Sequence, residues 1–207
     1  MRILLIGFGP FPGAPQNPSA MLAERLARRR RPALAATTRT ALVFATAYAA
    51  VDRELPRLFA ANPDIVLMFG LAARRRHLCI EMQARNARSI LFPDVRGYRP
   101  ERGVIVPGRP ATLRGGAPLA RLLAAARTSR MPARLSRDAG RYVCNYSYWR
   151  ALELAGRGSR PLIVFIHIPR LGFGSHPKRK RKNRAPPFHT ALAAAENLLI
   201  ALVAARR

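Results

Sequence analysis

The sequence has 207 residues, 49% of them hydrophobic, so it can bury a substantial core, and we expect one domain over residues 1–207. This composition argues against a disordered chain, and no apolar run reaches the length of a membrane span. The first residues do not resemble a signal peptide, because their apolar stretch is short and runs into Gly and Pro. With two cysteines, we expect a cytoplasmic protein with free thiols rather than a Cys79–Cys144 disulfide.

The formal net charge of +27 arises from 37 Lys and Arg against 10 Asp and Glu. Such an excess can indicate nucleic-acid binding, but most of it is Arg scattered among Ala, which is typical of solvated faces. Only Lys178–Arg184 (KRKRKNR) is a dense basic run, in a loop expected at about residues 173–187. We expect a solvated loop that contacts polyanions nonspecifically, and a true polyanion site is the alternative.

Apolar runs that end at Gly or Pro alternate with helical patterns along the chain. Strands are predicted at 2–7, 40–47, 64–70, 79–86 and 161–169, the fourth of them at the sheet edge. Helices are predicted from the Asn17 cap to about Arg29 and at about 50–61, 117–128, 142–156 and 187–205. Residues 92–118 are rich in Pro and Gly and predict loops and short strands. This order predicts an α/β fold, three-layer α/β/α, with a mostly parallel twisted central sheet.

The first loop, GFGPFPG at 7–13, stands where a dinucleotide-binding loop would follow a strand. Its glycine spacing is wrong for that motif, and Pro10 and Pro12 lack the amides that a phosphate needs. Phe8 and Phe11 lie where open α/β sheets bind ligands, at the carboxyl end of a strand. The alternative is that both side chains cover the core beneath the loop.

His77, Cys79 and Glu81 alternate, so a strand would place them on one face. We do not favour a zinc site, because no further ligand cluster accompanies them. Glu81 stands among apolar residues and therefore needs a cationic or hydrogen-bonding partner. An arginine such as Arg75 or Arg85 would be a structural partner, and a histidine would be a functional one.

His167 ends the last predicted strand, and Cys144 begins the helix that precedes this strand. A helix N-terminus would favour a thiolate, and its backbone amides could bind an oxyanion. Cys144, His167 and Glu81 can therefore serve as nucleophile, base and orienting group. Simple core positions for the cysteine and the histidine are the alternative.

From about residue 2 to 205 the sequence resembles the type I pyroglutamyl peptidases, or pyrrolidone-carboxylate peptidases, a family of cysteine peptidases. The resemblance rests on the order and spacing of GFGPFPG with its downstream NPS, PDIVLMFGLA followed by Arg75 and Glu81, Asn86, Pro93-Asp94, AGRYVCN and FIHIP. It implies that the family's nucleophile, base and acid fall on Cys144, His167 and Glu81. It also implies an aromatic clamp for the lactam ring at Phe8 and Phe11, and a pocket wall at Tyr142 and Val143.

By this resemblance, the protein would be a cysteine exopeptidase that removes N-terminal pyroglutamyl residues from peptides through a thioester, with no metal or cofactor. Analogy with the family also suggests a homotetramer. The chain departs from the family at Gly9, Arg74, Leu91 and Tyr146, where an acid, a glycine, an arginine and a histidine are common. Without the arginine at Leu91, the oxyanion would be held by Arg88, Arg75 or backbone amides.

Two other functions stay open from the sequence. One is a catalytically impaired relative that binds RNA or another polyanion through the basic loop. The other is a hydrolase or nucleoside-processing enzyme with the same kind of sheet and a different small ligand.

Overall fold

The computed structural model describes residues 1–156, 161–173 and 185–207. The basic run Lys178–Arg184 therefore lies outside the described residues. The strands are β1 (Arg2–Phe8), β2 (Thr38–Phe44), β3 (Ile65–Leu71), β4 (Leu78–Glu81), β5 (Ala84–Arg85), β6 (Thr112–Leu113), β7 (Ala133–Ser136) and β8 (Leu162–Ile168). The α-helices are α1 (Pro18–Ala27), α2 (Tyr48–Ala60), α3 (Leu119–Arg127), α4 (Val143–Ala155) and α5 (Phe188–Arg206), with a short 3₁₀ helix at Pro32–Leu34.

Six strands form one mixed sheet in the order β2-β1-β3-β8-β4-β7. The strands β2, β1, β3 and β8 are parallel, whereas β4 runs antiparallel to β8, and β7 is parallel to β4. The strands β5 and β6 pair separately as a small antiparallel ribbon. The predicted mostly parallel sheet is confirmed.

Helices cover both faces of the sheet, because alternate residues of its central strands are apolar on both sides. The face that packs on α1, α3 and α5 carries Ile3, Leu5, Ile65, Leu67, Phe69, Val164 and Ile166. The face that packs on α2 and α4 carries Leu4, Ile6, Phe8, Val66, Met68, Ile163 and Phe165. The predicted three-layer α/β/α architecture is confirmed.

The prediction was wrong about the strand at 79–86. This segment is divided into β4, in the main sheet, and β5, in the ribbon. The strand β4 is not at the edge, since β7 pairs with its outer side. The sequence did not predict β7, because its four residues include exposed positions such as Arg134 and Leu135 and show no clear alternation.

Helix α5 is 19 residues long with a mean hydropathy of 1.6, so by length and composition alone it could cross a membrane. The expectation that no apolar run is long enough to span a membrane therefore does not hold for α5. In the fold, Leu198, Leu199 and Leu202 of this helix are fully buried in the core. Packing against α1, α3 and the sheet accounts for the apolar character of α5.

Candidate active site

Glu81 and His167 meet on the sheet face that α4 covers. In the antiparallel pair of β4 and β8, Glu81 lies opposite Phe165, so His167 is its diagonal neighbour. The distance from Glu81 Oε1 to His167 Nδ1 is 2.8 Å, and both side chains are buried. Because a carboxylate only accepts hydrogen bonds, Nδ1 must carry the ring proton. Nε2 is then the basic nitrogen of the imidazole.

Glu81 has both kinds of partner that its sequence context suggested. Arg75 Nη1 lies 2.9 Å from the same oxygen, Glu81 Oε1, that contacts His167. Arg85 instead pairs with Asp138, at 3.4 Å. The Tyr148 hydroxyl donates a hydrogen bond to the backbone carbonyl of Glu81, at 3.2 Å. The Glu81 carboxylate is therefore held through one oxygen by two side chains, and its backbone is held by a third.

Cys144 is the second residue of α4, after Tyr142 as the N-cap. Its sulfur lies over Gly70, because a Cβ atom built at Gly70 would be 2.8 Å from Cys144 Sγ. Gly70 on β3 is in register with His167 on the parallel strand β8, so both positions face α4. The glycine thus leaves the space into which the thiol fits beside the histidine.

The electrostatics of this thiol differ from the sequence expectation. Burial, together with the charge of Glu81, raises the pKa of Cys144 from 9.0 to about 12, and a hydrogen bond from its own backbone opposes this shift. The backbone amide at the helix start lowers the pKa, in the expected direction, but burial raises it by more. A nucleophilic Cys144 therefore needs a base to remove its proton as it attacks.

Asn145, the residue after the thiol, fixes the start of α4. It is fully buried, and its side chain accepts a hydrogen bond from the Arg85 amide (2.8 Å) and donates to the carbonyls of Arg85 (2.9 Å) and Ala87 (2.7 Å). All its polar atoms in this arrangement serve the segment around β5. Asn145 was not among the predicted site residues, although an amide side chain in an apolar helix is a signal visible in the sequence.

The structure brings together only part of the predicted lactam pocket. The rings of Phe11 and Tyr142 lie 6.4 Å apart, and the Tyr142 hydroxyl donates to the Pro93 carbonyl at 2.9 Å. Phe8 is only 1% exposed, and its ring packs against Phe165 and Phe44. Val143 is likewise fully buried. Phe11 and Tyr142 thus form a partly open aromatic wall, whereas the other two support it from the core.

Backbone groups of the first loop form hydrogen bonds with side chains elsewhere in the protein. The Gly9 carbonyl accepts hydrogen bonds from Asn17 Nδ2 (3.0 Å) and Thr46 Oγ1 (3.1 Å), and Ser19 Oγ accepts from the Phe8 amide (3.0 Å). A Cβ atom at Gly7 would lie 2.5 Å from the Ser19 carbonyl oxygen, so α1 approaches β1 closely. The close approach of α1 to β1 explains Gly7, and the hydrogen bonds of Asn17 and Ser19 explain these two residues of the NPS segment.

Two polar residues, Asp94 and Asn86, form hydrogen bonds within the segment between β4 and β6. Asp94 is buried, and it accepts hydrogen bonds from the Tyr48 amide at the start of α2 and from the Arg96 and Tyr98 amides. Asn86 accepts from the amides of Ile105 and Val106 and donates to the carbonyls of Val106 and Arg109. These bonds hold the loop that borders Tyr142.

A cleft of about 600 Å³ lies beside Tyr142 and is lined by Arg88, Ser89, Ile90, Leu91, Phe92, Gly103, Arg141 and Tyr142. Leu91, one of the expected departures from the family pattern, is 69% exposed there. Tyr146, another of them, is buried and donates to both carboxylate oxygens of Asp52, at 2.7 and 2.8 Å. Both departures are thus compatible with the fold.

In the described part of the chain, no group of His, Cys, Asp and Glu side chains is arranged to hold a metal ion. Of the three alternating residues, Cys79 and Glu81 lie on β4, opposite His167 and Phe165. His77 precedes this strand, and burial with nearby Arg134 and Arg75 lowers its pKa. Both Cys79 and Cys144 are free.

Comparisons with known proteins identify the family of this chain. A family model described as pyroglutamyl peptidase matches residues 1–207. The pyrrolidone-carboxylate peptidases of Gloeobacter violaceus and Thermococcus onnurineus are 35% and 32% identical, over 83% and 82% of this chain and 82% and 84% of theirs.

Solved structures show the same relationship. A mutant pyrrolidone carboxyl peptidase from Pyrococcus furiosus has a TM-score of 0.85 at 25% identity, and the match covers 100% of both chains. Pyroglutamyl peptidase I from Bacillus amyloliquefaciens has a TM-score of 0.82 at 26% identity, over 98% of this chain and 97% of that one. With the family model, the relatives and the shared fold in agreement, the chain belongs to the pyroglutamyl peptidase family of cysteine-type hydrolases.

Proposed function

We propose that this member of the family removes the N-terminal pyroglutamyl residue from peptides, with Cys144 as nucleophile, His167 as base and acid, and Glu81 as orienting group. The observation that carries this proposal is the 2.8 Å contact between Glu81 and His167 on the sheet face where Cys144 Sγ lies over Gly70. A thiol nucleophile, an imidazole base and a carboxylate that orients the imidazole are the catalytic groups of a nucleophilic hydrolase.

In the first step, the Cys144 sulfur attacks the pyroglutamyl carbonyl carbon while His167 Nε2 takes the thiol proton. Proton removal must accompany attack, since the pKa of the thiol is raised to about 12. Glu81 holds the imidazole in the required tautomer and stabilises its cation. The amide of Cys144, in the first turn of α4, is available to stabilise the oxyanion.

In the second step, the bond between carbon and the leaving nitrogen breaks, and His167 returns its proton to the departing amine. The free peptide leaves, and the pyroglutamyl group stays on Cys144 as a thioester. Water then attacks the thioester with His167 as base, and pyroglutamate and the free thiol are released. Apart from the peptide and water, the proposed cycle uses no other reactant.

The proposed pocket suits the substrate because pyroglutamate has no free amine and therefore offers no positive charge for recognition. A neutral lactam ring is best held by an apolar, aromatic wall with a few hydrogen bonds. Phe11 and Tyr142 supply this wall, and Phe8 and Val143 support it from beneath. A homotetramer, a cytoplasmic location and a single-domain organisation remain predictions.

Polyanion binding as the main function is not favoured. The basic run that suggested it lies outside the described residues, and the relatives are named as peptidases. A second hydrolase chemistry on a different ligand gains no support from these relatives either.

Hydrolysis of pyroglutamyl 4-nitroanilide tests the proposal directly. We expect release of nitroaniline by the purified protein, no release from alanyl 4-nitroanilide, and no release by the Cys144→Ser variant. Lack of activity on the pyroglutamyl amide by folded wild-type protein would reject the proposed function.

A further inference from the structure

Arg75 connects three parts of the proposed site through one guanidinium group. Its Nη1 lies 2.9 Å from Glu81 Oε1 and donates to Ser136 Oγ at 3.2 Å, and its Nη2 donates to the Asp138 carbonyl at 2.7 Å. Glu81 ends β4, Ser136 ends β7, and Asp138 lies in the loop between β7 and α4. The planar fork of an arginine can hold three such acceptors at fixed angles, which a lysine cannot do.

The contact with Glu81 bears on the chemistry because this carboxylate is fully buried. A buried charge is costly unless a partner compensates it. Arg75 supplies that compensation at Oε1, the oxygen that also contacts His167 Nδ1, whereas Oε2 has no hydrogen-bond partner among the described residues. The guanidinium therefore compensates the buried carboxylate at the same oxygen that faces the imidazole.

The contact with Asp138 bears on the nucleophile. The loop from 137 to 142 leads directly into α4 and to Cys144. Within it, Ser136 Oγ accepts from the Asp138 amide at 3.1 Å, and Asp138 Oδ1 accepts from the Gly140 amide at 3.0 Å. By holding the Asp138 carbonyl and Ser136 Oγ, Arg75 fixes the start of this loop relative to Glu81.

We infer that Arg75 is a positioning residue that couples the Glu81–His167 pair to the loop delivering Cys144. The Arg75 guanidinium is engaged by these three acceptors. It is therefore not the oxyanion group for which the sequence made it a candidate. The inference rests on the proposed function only for its activity measurement.

The other titratable and charged groups around Glu81 and His167 come from three elements. Cys79 on β4 interacts with Arg75, and burial raises the pKa of its thiol. Cys144 and Tyr148 on α4 also have pKa values raised by burial. Arg134 on β7 is exposed and acts on Cys79 from the surface. Arg75 is thus the cation in direct contact with the carboxylate.

The test compares Arg75→Gln and Arg75→Lys with wild type in the pH dependence of kcat/KM for pyroglutamyl 4-nitroanilide. In Arg75→Gln we expect kcat to fall about 100-fold with little change in KM, because the reacting groups are displaced and the substrate pocket is not. The acid limb of the pH profile should move to higher pH, because the cation in direct contact with the Glu81–His167 pair is lost. Arg75→Lys should restore the position of this limb while recovering kcat only in part.

The matched control is Arg74→Gln, which removes the same charge from an exposed neighbouring position and should leave kcat and the pH profile unchanged. An acid limb that stays in place in Arg75→Gln, with a loss of activity that follows only the loss of folded protein, would overturn the inference. If Arg75→Gln does not fold, full wild-type kcat in Arg75→Lys would overturn it equally.

A measurement without substrate separates this inference from the proposed function. NMR of ¹⁵N-labelled histidine reports the tautomer of His167, whose signal is assigned by its loss in His167→Gln. We expect the Nδ1-protonated form in wild type and a mixture of tautomers in Arg75→Gln. Wild-type protein that does not hydrolyse the amide would reject the proposed function, whereas an unchanged tautomer in Arg75→Gln would reject the role of Arg75.

Discussion

The sulfur of Cys144 and the backbone of Gly70 are in such close contact that no side chain fits between them. A Cβ atom at position 70 would lie 2.8 Å from Cys144 Sγ and 2.8 Å from the Phe165 ring. Because Gly70 is in register with His167, this contact places the thiol on the same α4-facing side of the sheet as the imidazole. The position of the proposed nucleophile therefore depends on a glycine on another element.

Gly70→Ala should reduce kcat more severely than it reduces stability. The added methyl group must displace the sulfur or the Phe165 ring, so we expect about a 100-fold loss of kcat and a loss of about 1–3 kcal/mol in the free energy of unfolding. Enzyme assays and urea unfolding measure the two effects. Gly116→Ala is the control, because a Cβ atom there would have no neighbour within 4 Å. Equal activity in the two variants would contradict the proposed position of the thiol.

Cys144 should react with iodoacetamide faster than Cys79 near neutral pH, because Cys144 is partly exposed and Cys79 is 1% exposed. Its alkylation rate should keep rising in alkaline solution, since the raised pKa of about 12 keeps the thiol protonated below that pH. Mass spectrometry of the labelled peptides gives both rates. A rate that levels off near pH 7 would show that the thiolate forms far more easily than its burial implies.

Substitution of each of the two cysteines should also have a different effect on activity. Cys144→Ser should fold and lose essentially all hydrolysis of pyroglutamyl amides, whereas Cys79→Ser should keep most of it. Full activity of Cys144→Ser would remove the cysteine-peptidase mechanism.

Much of the fold could be predicted because long apolar strands carry strong local signals. The fully buried strands β3 and β8 were predicted within one residue at each end. The short strand β7 was missed, since its neighbours in the sheet, rather than its own four residues, decide its conformation. The placement of β4 was wrong for the same reason, because strand order depends on contacts distant in sequence.

In the candidate site, too, some features could be predicted from the local sequence, whereas others depend on contacts between distant elements. Cys144 and His167 were candidates because of their predicted places at a helix start and a strand end, and Glu81 was one because it is a carboxylate among apolar residues. The simultaneous contact of Arg75 and His167 with one oxygen of Glu81 could not be predicted, because it depends on the packing of separate elements. The raised pKa of Cys144 was also missed, since helix position is visible in a sequence and burial of the sulfur is not.

His167 and Glu81 should differ in how much activity their loss removes. His167→Ala should be nearly inactive, because the neutral thiol then has no base. Glu81→Gln should lose about 10–1000-fold in kcat, since an amide oxygen can still accept from His167 Nδ1 but carries no charge to stabilise the imidazolium. Steady-state kinetics with the nitroanilide measures both. Wild-type activity in Glu81→Gln would make Glu81 a structural partner of Arg75 alone.

Tyr48 offers a prediction about stability in alkaline solution. Its ring packs 5.0 Å from that of Tyr146, it is 2% exposed, and its hydroxyl has no hydrogen-bond partner within the described residues. Burial raises its pKa above the ordinary value of 10.0. The unfolded chain therefore releases this phenol proton first, so the free energy of unfolding should fall as pH rises above about 10.

Tyr48→Phe should remove this part of the alkaline loss. At about pH 8 the variant should be as stable as wild type or more stable by up to about 1 kcal/mol, because a buried hydroxyl without a partner is lost. Urea unfolding at about pH 8 and about pH 10.5 should show a smaller decrease for the variant than for wild type. Tyr146→Phe is the matched control: it also removes a phenol with a raised pKa, but it loses hydrogen bonds of 2.7 and 2.8 Å to Asp52. That control should be less stable than wild type at about pH 8, by about 1 kcal/mol or more. If Tyr48→Phe were destabilised as much as Tyr146→Phe, the Tyr48 hydroxyl would have a hydrogen-bond partner in solution.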